Sequence, residues 1–279
     1  MPSYRYVVAD VFTDTPLEGN QLAVFTDARG LAGDEMQRLA REINFSETVF
    51  VLAPEADGDV RIRIFTPATE VCFAGHPTLG TAFVLGGPLQ KIEIRLETGA
   101  GTVPVELERE GARIVFGRMA QPIPAVRPYE RADELLGVLG VRSALPVEVY
   151  DNGMEHAYAV LSAPEEVAAL APDFRALRAF APVGVNCCAG SGRTWKTRMF
   201  APGDGVDEDP ATGSAAGPLS LHLARHGLTG FGDEIEISQG AEVRRPSTLY
   251  ARSVGSAERV ERVEVGGSAV VVARGEFRL

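Results

Sequence analysis

Apolar and polar positions alternate from Tyr4 to Phe12, with several β-branched residues among them, and this pattern predicts a strand. From Asp34 to Ile43 the apolar residues recur at helical spacing. Thr48–Leu52 and Arg61–Phe65 again read as strands. Thr78–Leu85 differs from all of these, because it is apolar or small on nearly every side. A helix without a polar face must be buried, so the expected architecture is a sheet rolled around this central helix. Lys91–Leu96, Thr102–Glu108 and Arg113–Gly117 predict the strands that complete the sheet, and the proline-rich stretch Met119–Pro128 is expected to link the two halves of the chain.

The second half repeats the first. Arg63-Ile64-Phe65-Thr66-Pro67 returns as Arg198-Met199-Phe200-Ala201-Pro202, 135 residues further on. Upstream, Leu22-Ala23-Val24-Phe25 is echoed by Tyr158-Ala159-Val160-Leu161 at an offset of 136. Downstream, each motif is followed by a turn of small residues and an apolar run, Thr78–Leu85 in the first copy and Ala215–Arg225 in the second. Three matches in one order at nearly one offset predict two similar domains, since solenoid repeats have periods of only ~20–50 residues. The expected fold class is α+β, two pseudo-symmetric domains that are each a rolled mixed sheet around a central helix. The first domain is assigned to 1–118 together with about 270–279, and the second to 119–269. Residues 262–279 are expected to form a closing hairpin whose tail returns to the first domain.

A length of 279 residues with 45% hydrophobic residues suits two such cores without metals or disulfides. The net charge of −11 argues against nucleic acid or an anionic membrane as partner. It still permits a small anionic substrate held by local backbone dipoles. No apolar run approaches the ~18–20 residues that a membrane helix needs. The start, MPSYRYVVADVF, lacks the pattern of a signal peptide, and Cys72, Cys187 and Cys188 make no disulfide framework, so a reducing cytoplasm is expected.

Two segments combine Gly, a hydroxyl or imidazole, and small residues at a predicted helix start: Gly75-His76-Pro77 and Thr212-Gly213-Ser214. Free N–H groups at such positions attract anions, and two of them facing across an interdomain cleft would grip a carboxylate. The alternative is ordinary capping by Thr212 and Ser214. His222 and His226, four apart, could share a helix face as metal ligands do, but no third ligand is evident in the sequence, and they are read as surface or helix-end histidines with no metal. No phosphate loop or dinucleotide fingerprint is present.

Gly19-Asn20 followed by Ala23-Val24, then Asn44-Phe45-Ser46-Glu47-Thr48, Phe73-Ala74-Gly75-His76-Pro77 and Glu208-Asp209-Pro210-Ala211-Thr212-Gly213-Ser214-Ala215-Ala216-Gly217 resemble the signature blocks of PhzF-like proteins, in the family's order and across both halves. The resemblance implies the diaminopimelate-epimerase fold, a site between the domains, a homodimer, and an isomerase that needs no cofactor. It implies Glu47 as general acid/base, His76 and Asp209 as substrate-orienting residues, and Asn20, Gly75, Gly213 and Ser214 as donors and linings for a small anionic or amino-acid-like substrate. The substrate itself is not implied, because PhzF-like sequences extend well beyond phenazine synthesis.

The residues can also be weighed directly. A carboxylate takes a carbon-bound proton only if burial raises its pKa, and Glu47 stands where a polar segment enters an apolar strand. Its other reading is a solvated strand-edge glutamate. At a helix start His76 is expected to be neutral, as donor or cap, and Asp209 before Pro210 reads as an N-cap that can also touch substrate. The thiols of related epimerases would align with Ala74 and Ala211, which cannot exchange protons, so two-thiol racemisation is rejected and the three cysteines are read as apolar fillers. The alternatives to an isomerase are an epimerase, hydratase or lyase on the same fold, or a binding protein without activity.

Overall fold

The first alternating segment becomes β1 (Ser3–Val11), which pairs antiparallel with β2 (Asn20–Phe25). The computed structural model describes residues 2–279 and divides into two units, one of residues up to Ala120 with Gly266–Leu279, the other Gln121–Val265. After β2 the first unit continues with α1 (Gly33–Ile43), β3 (Glu47–Leu52), β4 (Val60–Phe65), the short β5 (Glu70–Val71), α2 (Gly75–Leu89), β6 (Glu93–Thr98), β7 (Gly101–Glu110) and β8 (Arg113–Gln121). β2 and β3 are parallel across α1, and β4 and β6 are parallel across α2, while β3–β4, β6–β7 and β7–β8 are antiparallel.

The uniformly apolar helix is α2, and it touches β1, β2, β3, β6 and β7, as a core helix inside a rolled sheet must. Close approach depends on Gly80, where a Cβ would meet Leu22 and Val11 side-chain carbons at 2.6 Å. The amphipathic α1 buries Met36, Leu39 and Ala40 against Phe25, Phe50 and Phe65 on the other face of the same strands. Helix α2 begins three residues before its predicted start, because Pro77 stands in the first turn, where a missing N–H costs nothing.

The second unit repeats this plan with β9 (Ala125–Pro128), α3 (Ala132–Leu139), β10 (Glu148–Asp151), β11 (Glu155–Val160), α4 (Pro164–Ala168), α5 (Phe174–Leu177), β12 (Gly184–Ser191), β13 (Thr194–Ala201), β14 (Val206–Asp209), α6 (Gly213–Arg225), β15 (Ile235–Gln239), β16 (Ser247–Gly255) and β17 (Val260–Gly267). Here β11 and β12 are parallel across α4 and α5, and β13 and β15 are parallel across α6. The repeated Arg-x-Phe-x-Pro has a physical basis in both copies. Arg63 grips Glu70 with two bonds of 2.7 and 2.6 Å, and Arg198 grips Glu208 with two of 2.8 and 2.7 Å. Each guanidinium also lies 5.1 Å from the ring centre of the phenylalanine two residues on, Phe65 or Phe200.

Met119–Pro128 does link the two units, whose boundary falls between Ala120 and Gln121, although only three residues lie between the end of β8 at Gln121 and the start of β9 at Ala125. One expectation needs correction: residues 262–279 are not a hairpin, since Ser268 alone separates β17 from β18 (Ala269–Arg278), too few residues to reverse a chain. β18 instead pairs antiparallel with β1 along its length, from Ser3–Arg278 to Val11–Ala269. No helix among the described residues is long and apolar enough to cross a membrane.

Candidate functional site

In the first unit Glu47 opens β3, in register with Leu22 of the parallel β2. Asn20 opens β2, and His76 is the second residue of α2. Gly19 makes the turn that aims Asn20: its φ is +66°, and a Cβ there would lie 2.4 Å from the Val11 carbonyl oxygen. The fold thereby gathers three predicted residues. His76 Nδ1 lies 3.5 Å from a Glu47 carboxylate oxygen and 3.3 Å from the Asn20 side-chain amide nitrogen. Only 12% of the Glu47 side chain is exposed, so the reading as a solvated edge residue is set aside. Burial pushes His76 down to about 3, so the imidazole is neutral at physiological pH, as its place at a helix start suggested. Its Nε2 is buried and has no hydrogen-bond partner among the described residues.

In the second unit Asp209 ends β14 and pairs with Met199 on β13. It is not the helix cap. That position belongs to Thr212, whose hydroxyl turns away from the helix and donates to Asp209 Oδ2 at 2.7 Å. Gln239 holds the turn, donating to the Asp209 carbonyl at 2.8 Å and to Thr212 Oγ1 at 3.0 Å, while its Oε1 accepts from the Thr212 N–H at 3.2 Å. Gly213 starts α6 and Ser214 follows it. Ser214 is no cap either; its Oγ lies 3.0 Å from Nε2 of the buried His156. Neither Ala74, which precedes α2, nor Thr212, which precedes α6, caps its helix with a side chain. Ordinary side-chain capping, the alternative reading of these helix starts, is thus absent at both.

The repeat makes the two units comparable position by position. Leu22 corresponds to Tyr158, and its partner Glu47 corresponds to the partner of Tyr158, Asn186. Ile64 corresponds to Met199, so the mirror of Asp209 is Val71. The acidic side chains are thus unduplicated: the first unit has Glu47 where the second has an amide, and the second has Asp209 where the first has a valine. The residue before each helix is Ala74 or Thr212, so the mirror of Ala74 is Thr212 rather than Ala211. Neither is a thiol. Burial pushes the Cys187 thiol up to about 12 and raises that of Cys188, which keeps both protonated. Cys72 is exposed and does not fill a core.

His222 is fully buried in the last turn of α6, so of its two readings the helix-end one holds and the surface one does not, and a third acceptor that the sequence did not reveal, Glu148, lies beside both histidines. One Glu148 oxygen is 3.3 Å from His222 Nδ1 and 3.0 Å from His226 Nε2, and it accepts from Tyr150 at 2.9 Å and Arg225 at 3.3 Å. These partners hold the Glu148 carboxyl at about 2, with the His222 bond contributing most. The arrangement suits a hydrogen-bonded carboxylate better than a cation. The Arg225 charge already sits on that oxygen, and His222 Nε2 has no acceptor among the described residues such as a metal-bound imidazole needs for its second N–H.

Sequence reasoning missed His156, Asn152 and Gln239, which fix the start of α6. For His156 a signal existed, because it lies 136 residues after Asn20, at the offset of the β2/β11 repeat.

The chain belongs to the phenazine biosynthesis-like protein family, PhzC-PhzF, whose model matches residues 9–275. It is 53% identical over 277 residues to a trans-2,3-dihydro-3-hydroxyanthranilate isomerase of Pseudomonas aeruginosa, covering 99% of this chain and 100% of that one. A crystal structure of a PhzF-family phenazine biosynthesis protein from Bacillus anthracis covers 100% of both chains at 25% identity with a TM-score of 0.85. A hydroxyproline epimerase from Agrobacterium vitis, 12% identical with a TM-score of 0.67 over 98% of this chain and 92% of that one, shares the fold alone. With this identity to full-length isomerases, the chain is itself an isomerase of the family.

Proposed function

We propose that this isomerase acts on trans-2,3-dihydro-3-hydroxyanthranilate or a close cyclic amino-acid relative, and that Glu47 both removes the carbon-bound proton and returns it at another position. The observation that carries the reading is the pairing of a largely buried Glu47 carboxylate with a neutral His76 imidazole 3.5 Å away. A neutral imidazole, unlike an imidazolium, adds no positive charge beside the carboxylate and so does not oppose its taking a proton. Only one unit offers a carboxylate at this position, since Asn186 fills its mirror place. One base serving both steps suits an isomerisation that lifts and returns a single proton. Asp209, held by Thr212 and Gln239, is proposed to receive the substrate's amino or hydroxyl group, and Gly75, Gly213, Ser214 and Asn20 to contact its polar groups. No cofactor enters the scheme, and a homodimer is proposed on the family resemblance. The test is proton NMR of the substrate with the purified protein in D2O. Isomerisation with deuterium at the new position, or partial retention of hydrogen through internal return, supports the scheme; unchanged substrate rejects it.

A further inference from the structure

We propose that His156 is a positioning residue that donates a hydrogen bond from Nε2 to Ser214 Oγ and thereby directs the serine hydroxyl hydrogen at an anionic oxygen of the substrate. The proposal rests on the isomerase reading above for the identity of that acceptor. Its geometric basis does not.

His156 lies on β11 with no exposed surface, and its Nε2 is 3.0 Å from Ser214 Oγ. Its other nitrogen, Nδ1, is buried with no hydrogen-bond partner among the described residues. Gly184 lies beside that nitrogen: a Cβ there would come within 3.1 Å of it. Two neutral tautomers compete. If Nδ1 carried the hydrogen, a buried N–H would go unmatched, at a cost of ~1–3 kcal/mol. If Nε2 carries it, Nδ1 is a bare acceptor, and buried structures tolerate unfilled acceptors better than orphaned N–H groups. The Nε2–H tautomer therefore prevails, and Ser214 Oγ must accept. Burial also holds His156 at about 4, so it stays neutral near pH 7.

With one lone pair of Ser214 filled, its own hydrogen needs an acceptor. Oγ also contacts Met154 Sδ at 3.9 Å, a weak acceptor. The hydroxyl is thus set up as a donor at the start of α6, where the peptide dipoles already favour negative charge, and the bond it accepts polarises its O–H further. A nucleophilic serine is excluded by the same facts: the imidazole donates rather than accepts, and no third group among the described residues orients Nδ1.

The repeat supplies an independent argument. Asn20 on β2 touches His76, the second residue of α2, and 136 positions later His156 on β11 touches Ser214, the second residue of α6. In each unit a side chain on the same strand steers the residue presented by the first helical turn. The chemistry is exchanged between copies: an amide steers an imidazole in one, and an imidazole steers a hydroxyl in the other.

The first measurement needs no substrate. Nitrogen-15 NMR of the His156 ring in the wild type should show the Nε2–H tautomer from pH 5.5 to 8, and Ser214→Ala should shift the signal of that nitrogen. A dominant Nδ1–H tautomer overturns the proposal whatever the enzyme acts on. The second compares activities. His156→Gln can place an N–H near the position of Nε2, whereas His156→Asn is too short. We expect Gln to retain kcat/KM within about threefold and Asn to lose roughly 10–100-fold, with Asn combined with Ser214→Ala no worse than Ser214→Ala alone. Equal activities for Gln and Asn, or fully multiplicative losses in the double variant, would show that His156 does not act through Ser214. If the wild type fails to isomerise the substrate, the functional reading falls and the tautomer result stands apart from it.

Discussion

Glu47 and Asn186 occupy the same place in the two repeats, Glu47 in register with Leu22 and Asn186 with Tyr158, so the proposed proton-transfer position is a carboxylate in one unit and a neutral amide in the other. Asn186 is fully engaged in structure, its side-chain N–H groups directed 3.3 Å to the carbonyls of Ala157 and Gly184. No second base stands ready at the mirror position.

Glu47→Gln should therefore abolish turnover without disturbing the fold. The amide keeps the size and the contact with His76 but cannot take a proton. We expect a fall in kcat of ~10²–10⁴-fold with a small change in KM. Steady-state kinetics together with solvent-deuterium incorporation would measure it, and undiminished exchange would assign the proton to another residue.

Burial of neutral histidines should make the protein sensitive to mild acid. His76 is pushed down to about 3 and His156 to about 4, and His222 is also lowered, in each case chiefly by burial. These folded values lie below the ~6.5 of an unfolded imidazole. Below pH ~6.5 the unfolded chain thus binds protons that the folded chain refuses, and stability falls as pH falls. For His76 and His156 the loss should approach about 1.4 kcal/mol per group per pH unit, until pH nears the folded values. Urea unfolding at pH 7.5, 6 and 5 would show it, and His76→Gln should flatten the slope. A midpoint constant over that range would contradict neutral burial.

The repeated arginine–glutamate clamps offer a matched comparison of burial. The side chains of Arg198 and Glu208 are each 6% exposed, against 24% and 42% for Arg63 and Glu70. Arg198 also donates to the carbonyls of Leu170 at 2.7 Å and Val167 at 3.3 Å. Glu208→Gln should cost ~3–5 kcal/mol by leaving a buried guanidinium unpaired, whereas Glu70→Gln should cost under ~1 kcal/mol. Denaturant midpoints decide the matter, and equal losses at both sites would show that burial does not separate the two clamps.

Much of this was legible in the chain, for reasons that particular residues make plain. Thr78–Leu85 announced a buried helix because a helix apolar all round has no stable exposed orientation. The Arg-x-Phe-x-Pro repeat revealed the duplicated plan because each copy closes an ion pair over a phenylalanine. Glu47, Asn20 and His76 were recognisable from their motifs, and the fold does bring them together. The return of the last residues to the first domain was anticipated, but the pairing of β18 with β1 was not legible, since strand pairing between residues 3 and 278 leaves no local trace, and a glycine pair before Ser268 resembles a hairpin turn. Capping, the alternative reading of Thr212 and Ser214, does not hold although a hydroxyl at a helix start usually serves the helix; here Asp209 and His156 engage them instead. Glu148 was invisible as a neighbour of His222 and His226 because it lies over 70 residues away in sequence.

The start of α6 contains one further device, and it can be tested by a double substitution. Pro218 lies inside the helix and has no N–H, so the carbonyl of Ser214, four residues earlier, loses its helical donor. Asn152 supplies the missing bond, its Nδ2 donating to the Ser214 carbonyl oxygen at 2.9 Å. Asn152 is buried, so water cannot readily take its place. Asn152→Ala should therefore destabilise the protein by ~1–3 kcal/mol, the cost of an unsatisfied buried carbonyl together with a small cavity. Pro218→Ala restores the backbone N–H and makes the asparagine redundant. In the Pro218→Ala background, the further change Asn152→Ala should cost ~1 kcal/mol less than in the wild type, because only the cavity cost remains. Thermal and urea unfolding of the four proteins would give this coupling directly. Strictly additive losses would mean that Asn152 is not the substitute donor for Pro218, and the bond to Ser214 would then be incidental to how the helix start is held.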